Sequence, residues 1–360
     1  MTTKLLFITN GHGEDLVAAA IIKQLNKNFG VTVLPVVGEG QIFRDLDVTV
    51  LGPKRSLPSG GFSLRNLLYL GRDIYAGLLG NTLAQLRRLK EQRGKIDLTI
   101  ATGDIVPIIG ALVAKAPFVF VGVNKSAYYK SFGSNYTPWE RIMLHHYCRK
   151  VFVRDKVTEN ELKRKPPRVP QAEYVGNPLM DCFRNLPKQP RDPSTRTIGF
   201  LPGTRDDAVL NLVDFQKVIE EILKIKNNDD QGLRFLTAAK TGKVPEYFEN
   251  LPFAEVLARS EVIIGLSGTG NEQAAGAGVP LISFYGRGSQ YNKRFALAQK
   301  QLLGKALYLI KDHSPITVAA EVWHLLRNPD KLKRMADAGQ ERMGSSGAVE
   351  KIVEYLKEMG

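Results

Sequence analysis

The chain has 360 residues, enough for two hydrophobic cores, with 43% hydrophobic and 24% charged residues, ordinary proportions for a globular protein. Its formal net charge of +14 implies an acidic partner, such as a phosphorylated ligand or an anionic surface. The basic residues are dispersed and no zinc-finger or RNA-recognition signature is present, which ranks nucleic acid low. Two cysteines, Cys148 and Cys182, make neither a disulfide framework nor a metal-ligand spacing, and read as packing residues in a reducing cytoplasm.

The N-terminus lacks a signal-peptide layout. Lys4–Thr9 reads as a buried strand, Asn10–Asp15 as a polar glycine-bearing turn, Leu16–Leu25 as a helix and Val31–Val37 as a second strand. The turn lacks G-x-G-x-x-G, which disfavours a nicotinamide enzyme. Residues 52–61 are loop-like. Residues 62–93 form a long helical region that mixes leucines with arginines. That mixture has two readings, an amphipathic helix on a sheet or a surface that docks on a membrane. Asp97–Ala101 is a strand ending at Thr102-Gly103-Asp104, and Val106–Ala114 is a helix. Phe118–Val123 is a strand, and Asn124–Pro138 a polar, aromatic loop long enough to bind something. The Leu98–Val123 region is too interrupted to span a membrane. A helix at 139–148, a strand at 151–153 and a basic helix at 154–165 follow. His145, His146, His313 and His324 read as structural.

Residues 184–196, rich in proline and charge, are expected to link two domains. The second half opens like the first, with a strand (Thr197–Leu201), a polar turn (Pro202–Asp207) and a helix (Ala208–Ile225). Its centre is Ile263–Phe284. Val262, Ile263 and Ile264 suit a strand covered on both faces, and Gly265, Gly268 and Gly270 let the backbone turn tightly. A helix near Asn271–Ala277 and a strand, LISF, complete it. Free N–H groups and the dipole at the helix start favour a phosphate. The competing reading is a ligand-free crossover. The expected boundaries are 1–183, 184–344, and a C-terminal helix over 345–360 that crosses back to the first domain.

VGNPLMD (175–181), FLPGTR (200–205) and the SGT-to-LISF stretch (267–284) stand in the order found in lipid-A-disaccharide synthase, which the second half resembles. NGHGED with GTGNEQ is similar to a cyanobacterial-type group related to that synthase. The resemblance implies an α/β fold of GT-B architecture, two Rossmann-like domains whose parallel sheets face a central cleft. It implies an inverting, metal-independent hexosyltransferase, without cofactor, that moves a sugar from a UDP-sugar to a lipid-like acceptor. Such an enzyme would be cytoplasmic or peripheral on an anionic membrane surface.

The departures are specific. NGHGED replaces the synthase's opening glycine-rich motif, and only Asp15 matches its last residue; the Pro-Phe-Glu segment is missing. The candidate base is Asp104 or His12, with Glu14 and Asp15 as further candidates. Each has a plainer reading: His12 as a turn cap, Asp15 as a helix-start residue, Asp104 as a helix cap. Gly11, Gly13, Glu14 and Asn124 would face the acceptor. For the UDP-sugar, Gly203, Thr204 and Arg205 would hold the diphosphate together with Ser267, Gly268 and Thr269. Glu272 or Gln273 would take the ribose. Arg287, Ser289, Gln290 and Asn292 would reach the donor phosphate or sugar. The alternatives are a UDP-sugar 2-epimerase, which needs several acid–base carboxylates, and a non-catalytic binder of nucleotide sugars or lipids.

Overall fold

A computed structural model describes residues 2–25, 28–37, 40–51, 78–130, 135–182, 194–204, 207–226, 232–240, 244–288 and 290–359. The loop and helical region expected at 52–77, most of the expected linker, Arg205 and Ser289 lie outside the described residues.

The chain divides into two compact units, 1–182 with 346–360, and 183–345. The first contains β1 (Thr3–Thr9), α1 (His12–Gln24), β2 (Phe29–Pro35), a 3-10 turn (Gln41–Phe43), β3 (Thr49–Val50), α2 (Leu78–Glu91), β4 (Leu98–Gly103) and α3 (Ile105–Ala114). It continues with β5 (Phe118–Gly122), α4 (Pro138–Tyr147), β6 (Cys148–Phe152), α5 (Lys156–Arg164), β7 (Ala172–Glu173) and α6 (Pro178–Asp181). The second unit contains β8 (Thr195–Leu201), α7 (Ala208–Ile225), β9 (Gly232–Thr237), β10 (Glu249–Asn250), α8 (Phe253–Arg259), β11 (Val262–Gly265) and α9 (Thr269–Gly276). It closes with β12 (Leu281–Phe284), α10 (Lys293–Leu303), β13 (Leu307–Ile310), α11 (Pro315–Leu326) and α12 (Pro329–Met343). The last helix, α13 (Ala348–Met359), belongs to the first unit.

Both sheets are parallel. The first runs β3-β2-β1-β4-β5-β6-β7 and the second β10-β9-β8-β11-β12-β13. Each unit therefore starts at the centre of its sheet, builds outward to one edge, then returns to build the other. The reversal leaves a switch point between β1 and β4 and another between β8 and β11, where ligands bind in open α/β sheets. The strands at these points are apolar runs because helices cover both faces. Leu5, Leu6, Phe7 and Ile8 of β1 are fully buried, as are Val262, Ile263 and Ile264 of β11. In the second unit Phe235 and Phe248 pack edge-on against Phe200 of β8, and Phe215 packs on it at a tilt.

Several sequence expectations are corrected. α1 starts at His12, not Leu16, so His12, Gly13, Glu14 and Asp15 form its first turn rather than a loop. Two acids in that turn complement the helix dipole, which offsets the weak propensity of Gly13. α5 starts at Lys156 because Asp155 caps it, accepting from the Thr158 N–H. β6 starts at Cys148, where α4 ends. The four histidines at 145, 146, 313 and 324 are exposed and pack in no core. Within the described part of 62–93, Gln85 and Leu89 face inward while Arg87, Arg88 and Lys90 face water, an amphipathic pattern. Among the described residues no helix is long and apolar enough to cross a membrane.

Candidate functional site

In the first unit the register pairs Thr9 with Thr102, so Asn10 leaves β1 beside Gly103 and Asp104 at the end of β4. Three predicted carboxylates gather there, each held differently. Asp104 caps α3, accepting from the Val106 N–H at 3.0 Å, and also accepts from Asn10 Nδ2 at 3.1 and 3.2 Å. Burial raises its pKa, against the opposing pull of the Val106 N–H, the Lys125 cation and Asn10. Asp15 is 7% exposed and accepts from the Thr9 hydroxyl at 2.5 Å. Burial pushes its pKa up to about 6, partly offset by that bond. Glu14 is 2% exposed, and Asn124 Nδ2 donates to its Oε1.

The glycines explain how Glu14 fits. A Cβ on Gly11 would lie 2.7 Å from Glu14 Oε2, and one on Gly103 would lie 2.8 Å from Glu14 Cγ. Gly103 also has φ +129, a backbone conformation that L side chains rarely adopt. Gly11, Gly103, Glu14 and Asn124 are thus one packed arrangement. Gly13 is buried behind it, and His12 is exposed. Asp104 is only half-buried, so His12 and Asp104 are the acid–base groups of this cluster that reach the surface.

Behind the cluster, Lys125 is buried and ion-paired with Glu140 at 2.7 Å. Glu140 also completes a capping box with Thr137 at the start of α4. Neither was expected from sequence, because a lysine in a polar loop gives no sign of burial. Cys148 and Cys182 are free thiols pushed up to about 12 by burial, so neither is ionised near neutral pH.

In the second unit the register pairs Leu201 with Gly265, and the Leu266 N–H donates to the Leu201 carbonyl at 2.9 Å. The turns after β8 and β11 therefore leave the sheet together. Gly203 has φ +88, and a Cβ there would come 3.4 Å from the Leu266 carbonyl. Ser267, Gly268 and Thr269 are half-buried at the start of α9, and Thr204 is exposed. Gly268 precedes α9 with no side-chain cap. Its carbonyl accepts from the Asn271 and Glu272 N–H groups, leaving the first turn open to an anion.

A buried polar group holds the turn. Asn271 is fully buried; its Nδ2 donates to the Gly265 carbonyl and to the Tyr291 hydroxyl, both at 3.3 Å. Ser283 Oγ donates to the same carbonyl at 2.7 Å and shares a 2.7 Å hydrogen bond with Tyr291. A Cβ on Gly265 would collide with Asn271, which is why glycine ends β11. Glu272 and Gln273 are buried, and Gln299 Nε2 reaches Glu272 Oε1 at 3.5 Å.

The loop after β12 is fastened to α7. Arg287 pairs bidentately with Asp214, through Nε to Oδ2 at 3.0 Å and Nη2 to Oδ1. The Asp214 carboxylate raises the Arg287 pKa further. The Gln290 N–H donates to Asp207 Oδ2 at 2.6 Å, and Gly288 leaves room for that carboxylate. Asn292 caps α10, accepting from the Phe295 N–H at 3.1 Å. Asp207, Asp214, Ser283 and Tyr291 are the members that sequence reasoning missed. The position of Asp207 just before a helix was the only signal for any of them.

Two Rossmann-like units, each with a tight turn at the switch point of a parallel sheet, define the GT-B type of α/β fold. Solved structures agree over almost the whole chain. A Listeria monocytogenes structure assigned as a UDP-N-acetylglucosamine 2-epimerase superposes with TM-score 0.65 at 15% identity, covering 99% of this chain and 96% of that one. The 2-epimerase from Neisseria meningitidis, bound to UDP-N-acetylglucosamine, gives 0.60 at 14% identity, covering 99% and 100%. The calicheamicin glycosyltransferase CalG4 gives 0.62 at 16% identity, covering 99% and 98%. At these identities the likeness establishes the fold. No protein-family model matches the sequence, and no curated protein matches it.

Proposed function

We propose that this chain is an enzyme acting on a UDP-sugar. The observation that carries the reading is the pair of turns after β8 and β11. An uncapped helix start and a positive-φ glycine converge there at a switch point. The same fold holds UDP-N-acetylglucosamine in the Neisseria epimerase. In this reading the backbone of Ser267, Gly268 and Thr269 receives the diphosphate. Glu272 or Gln273 serves the ribose, and the fastened loop at Arg287, Gln290 and Asn292 borders the sugar. Arg205 neutralises phosphate charge as nucleotide leaves. The domain boundaries expected from sequence fit a nucleotide half and a second half that carries Asp104 and His12.

Two reactions suit this arrangement. Epimerisation at C2 is supported by the structural neighbours, among which UDP-N-acetylglucosamine 2-epimerases recur. It must remove a proton and return one, and the groups of the cluster that reach the surface for that task are Asp104, whose pKa burial raises, and His12. Transfer to a lipid-like acceptor is supported by the synthase-like motif order. It is also supported by the burial of Glu14 and Asp15, which leaves Asp104 or His12 as a single base. Peripheral association with an anionic membrane belongs to the transfer reading.

Incubation with UDP-N-acetylglucosamine in deuterated water separates them. Epimerisation places deuterium at C2 without any acceptor. Transfer leaves C2 protonated and releases UDP only when an acceptor lipid is added. Calorimetric titration with UDP, ADP and GDP, with Arg205→Ala as control, tests the shared premise; binding of none of the three would sink both readings.

A further inference from the structure

Among the described residues, nothing covers one apolar face of helix α4. Glu140 points inward to Lys125, Arg141 is buried with its Nη2 on the Glu161 carbonyl, and Leu144 belongs to the core. Outward stand Trp139, Ile142, His145, His146 and Tyr147. Trp139 is 70% exposed and Tyr147 61%. Trp139, Ile142 and His146 follow the i, i+3, i+7 spacing of one helical stripe. Ile109 of α3, which packs beside α4, is exposed as well.

The exposed charges that follow α3 and α4 directly are cations, while the neighbouring acids Glu161 and Glu173 are paired with Arg141 and Lys150. Helix α3 contains no charged residue, and the only acid of α4 is the buried Glu140. The exposed cations Lys115 and Arg149 follow the two helices. Amphipathic rings beside cations match the interface of an anionic bilayer. A second copy of the chain is a poorer occupant, because two molecules of charge +14 repel.

We propose that α4 and the exposed part of α3 dock on an anionic lipid surface. Trp139, Ile142 and Tyr147 enter the headgroup region, and Lys115 and Arg149 meet lipid phosphates. The proposal assigns a surface to the membrane association of the transfer reading, and it rests on no step of the UDP-sugar chemistry.

The chain has two tryptophans, and Trp323 is buried in the other unit. In a Trp323→Phe protein, Trp139 is therefore the only indole. With vesicles of phosphatidylcholine containing about one third phosphatidylglycerol, its emission is expected to shift to the blue and to be quenched by brominated chains. Pure phosphatidylcholine should give little of either. In the native-Trp323 background, the double variant Trp139→Ser, Ile142→Ser should lose about tenfold or more in vesicle co-sedimentation. Arg149→Glu, a charge-only change on the surface, should weaken binding most at low salt. Circular dichroism should match the parent in each case. Absence of the blue shift, or co-sedimentation that survives the double variant, overturns the proposal. So does a blue shift that appears without vesicles as protein concentration rises, which identifies a second copy as the occupant. A parallel UDP titration tells failure of this surface from failure of the nucleotide reading.

Discussion

Asp15 is a carboxylate whose protonation the fold has moved into the range where enzymes work. Its pKa of about 6 lies above the ordinary 3.8, because burial disfavours the charge. The sign follows from linkage. Below pH 3.8 both folded and unfolded forms are neutral there. As pH rises from 3.8 to about 6 the unfolded chain ionises first, so stability falls; above 6 the loss is complete, at roughly 3 kcal/mol at most. Asp15→Asn should therefore resist urea better than the parent at pH 7.5, with the advantage shrinking toward pH 4. Equal gains at both pH values would show that Asp15 is not the source. Gly103→Ala tests the packing of Glu14. A methyl at φ +129, 2.8 Å from Glu14 Cγ, should cost about 2–3 kcal/mol in the same assay. The sequence displays His12, Glu14, Asp15 and Asp104 as candidates, since short glycine-rich turns at strand ends announce themselves. It does not show which carboxylates are buried, because Thr9, Asn10 and Asn124 come into play only through strand register.

Among the elements, α9 and the strands beside it are legible because glycines, β-branched residues and a proline mark each boundary. The loop after β12 is not, since what orders it lies 73 and 83 residues away in sequence, at Asp214 and Asp207. Local patterning carries no trace of such pairings. Their weights differ. The Arg287–Asp214 pair is nearly half-exposed on the arginine side, where water screens it, and should contribute about 1 kcal/mol or less. Asp207 accepts a backbone N–H at 2.6 Å under a glycine that has no room for more. Its loss should cost about 1–3 kcal/mol. Asp207→Ala is expected to lower the calorimetric midpoint of the second unit and to weaken UDP binding. Asp207→Asn, which keeps an acceptor oxygen, should recover part of both. An Asp207→Ala protein that melts at a lower temperature yet binds UDP as the parent does would separate the loop from the site.

Across the whole chain, sequence order and compact units do not coincide. After 163 residues in the second unit the chain returns to the first through α13. That helix presents Val349, Ile352, Val353 and Leu356 at the spacing of a single helical face, and all four are at most 2% exposed. They pack on α1 and α6. Asp181, at the end of α6, receives the Val349 N–H at 2.9 Å and also the Gly347 N–H, so it caps a helix 168 residues further on. Tyr355 packs edge-on against Phe152 of β6 at 5.5 Å. Burial of four such side chains contributes about 6–12 kcal/mol as an upper estimate, comparable with the entire stability of a domain. Removal of residues 346–360 should therefore abolish the cooperative melting of the first unit. The second unit keeps its own core around Phe200, Phe215 and Ile264, and should still melt as a unit and still bind UDP. Asp181→Ala, which removes only the cap, should lower the first transition by an amount equivalent to about 1–2 kcal/mol and leave the second unmoved. Scanning calorimetry resolves the two cases. Loss of both transitions together on truncation would mean that the units fold as one, and that α13 supports more of the molecule than the helices it touches.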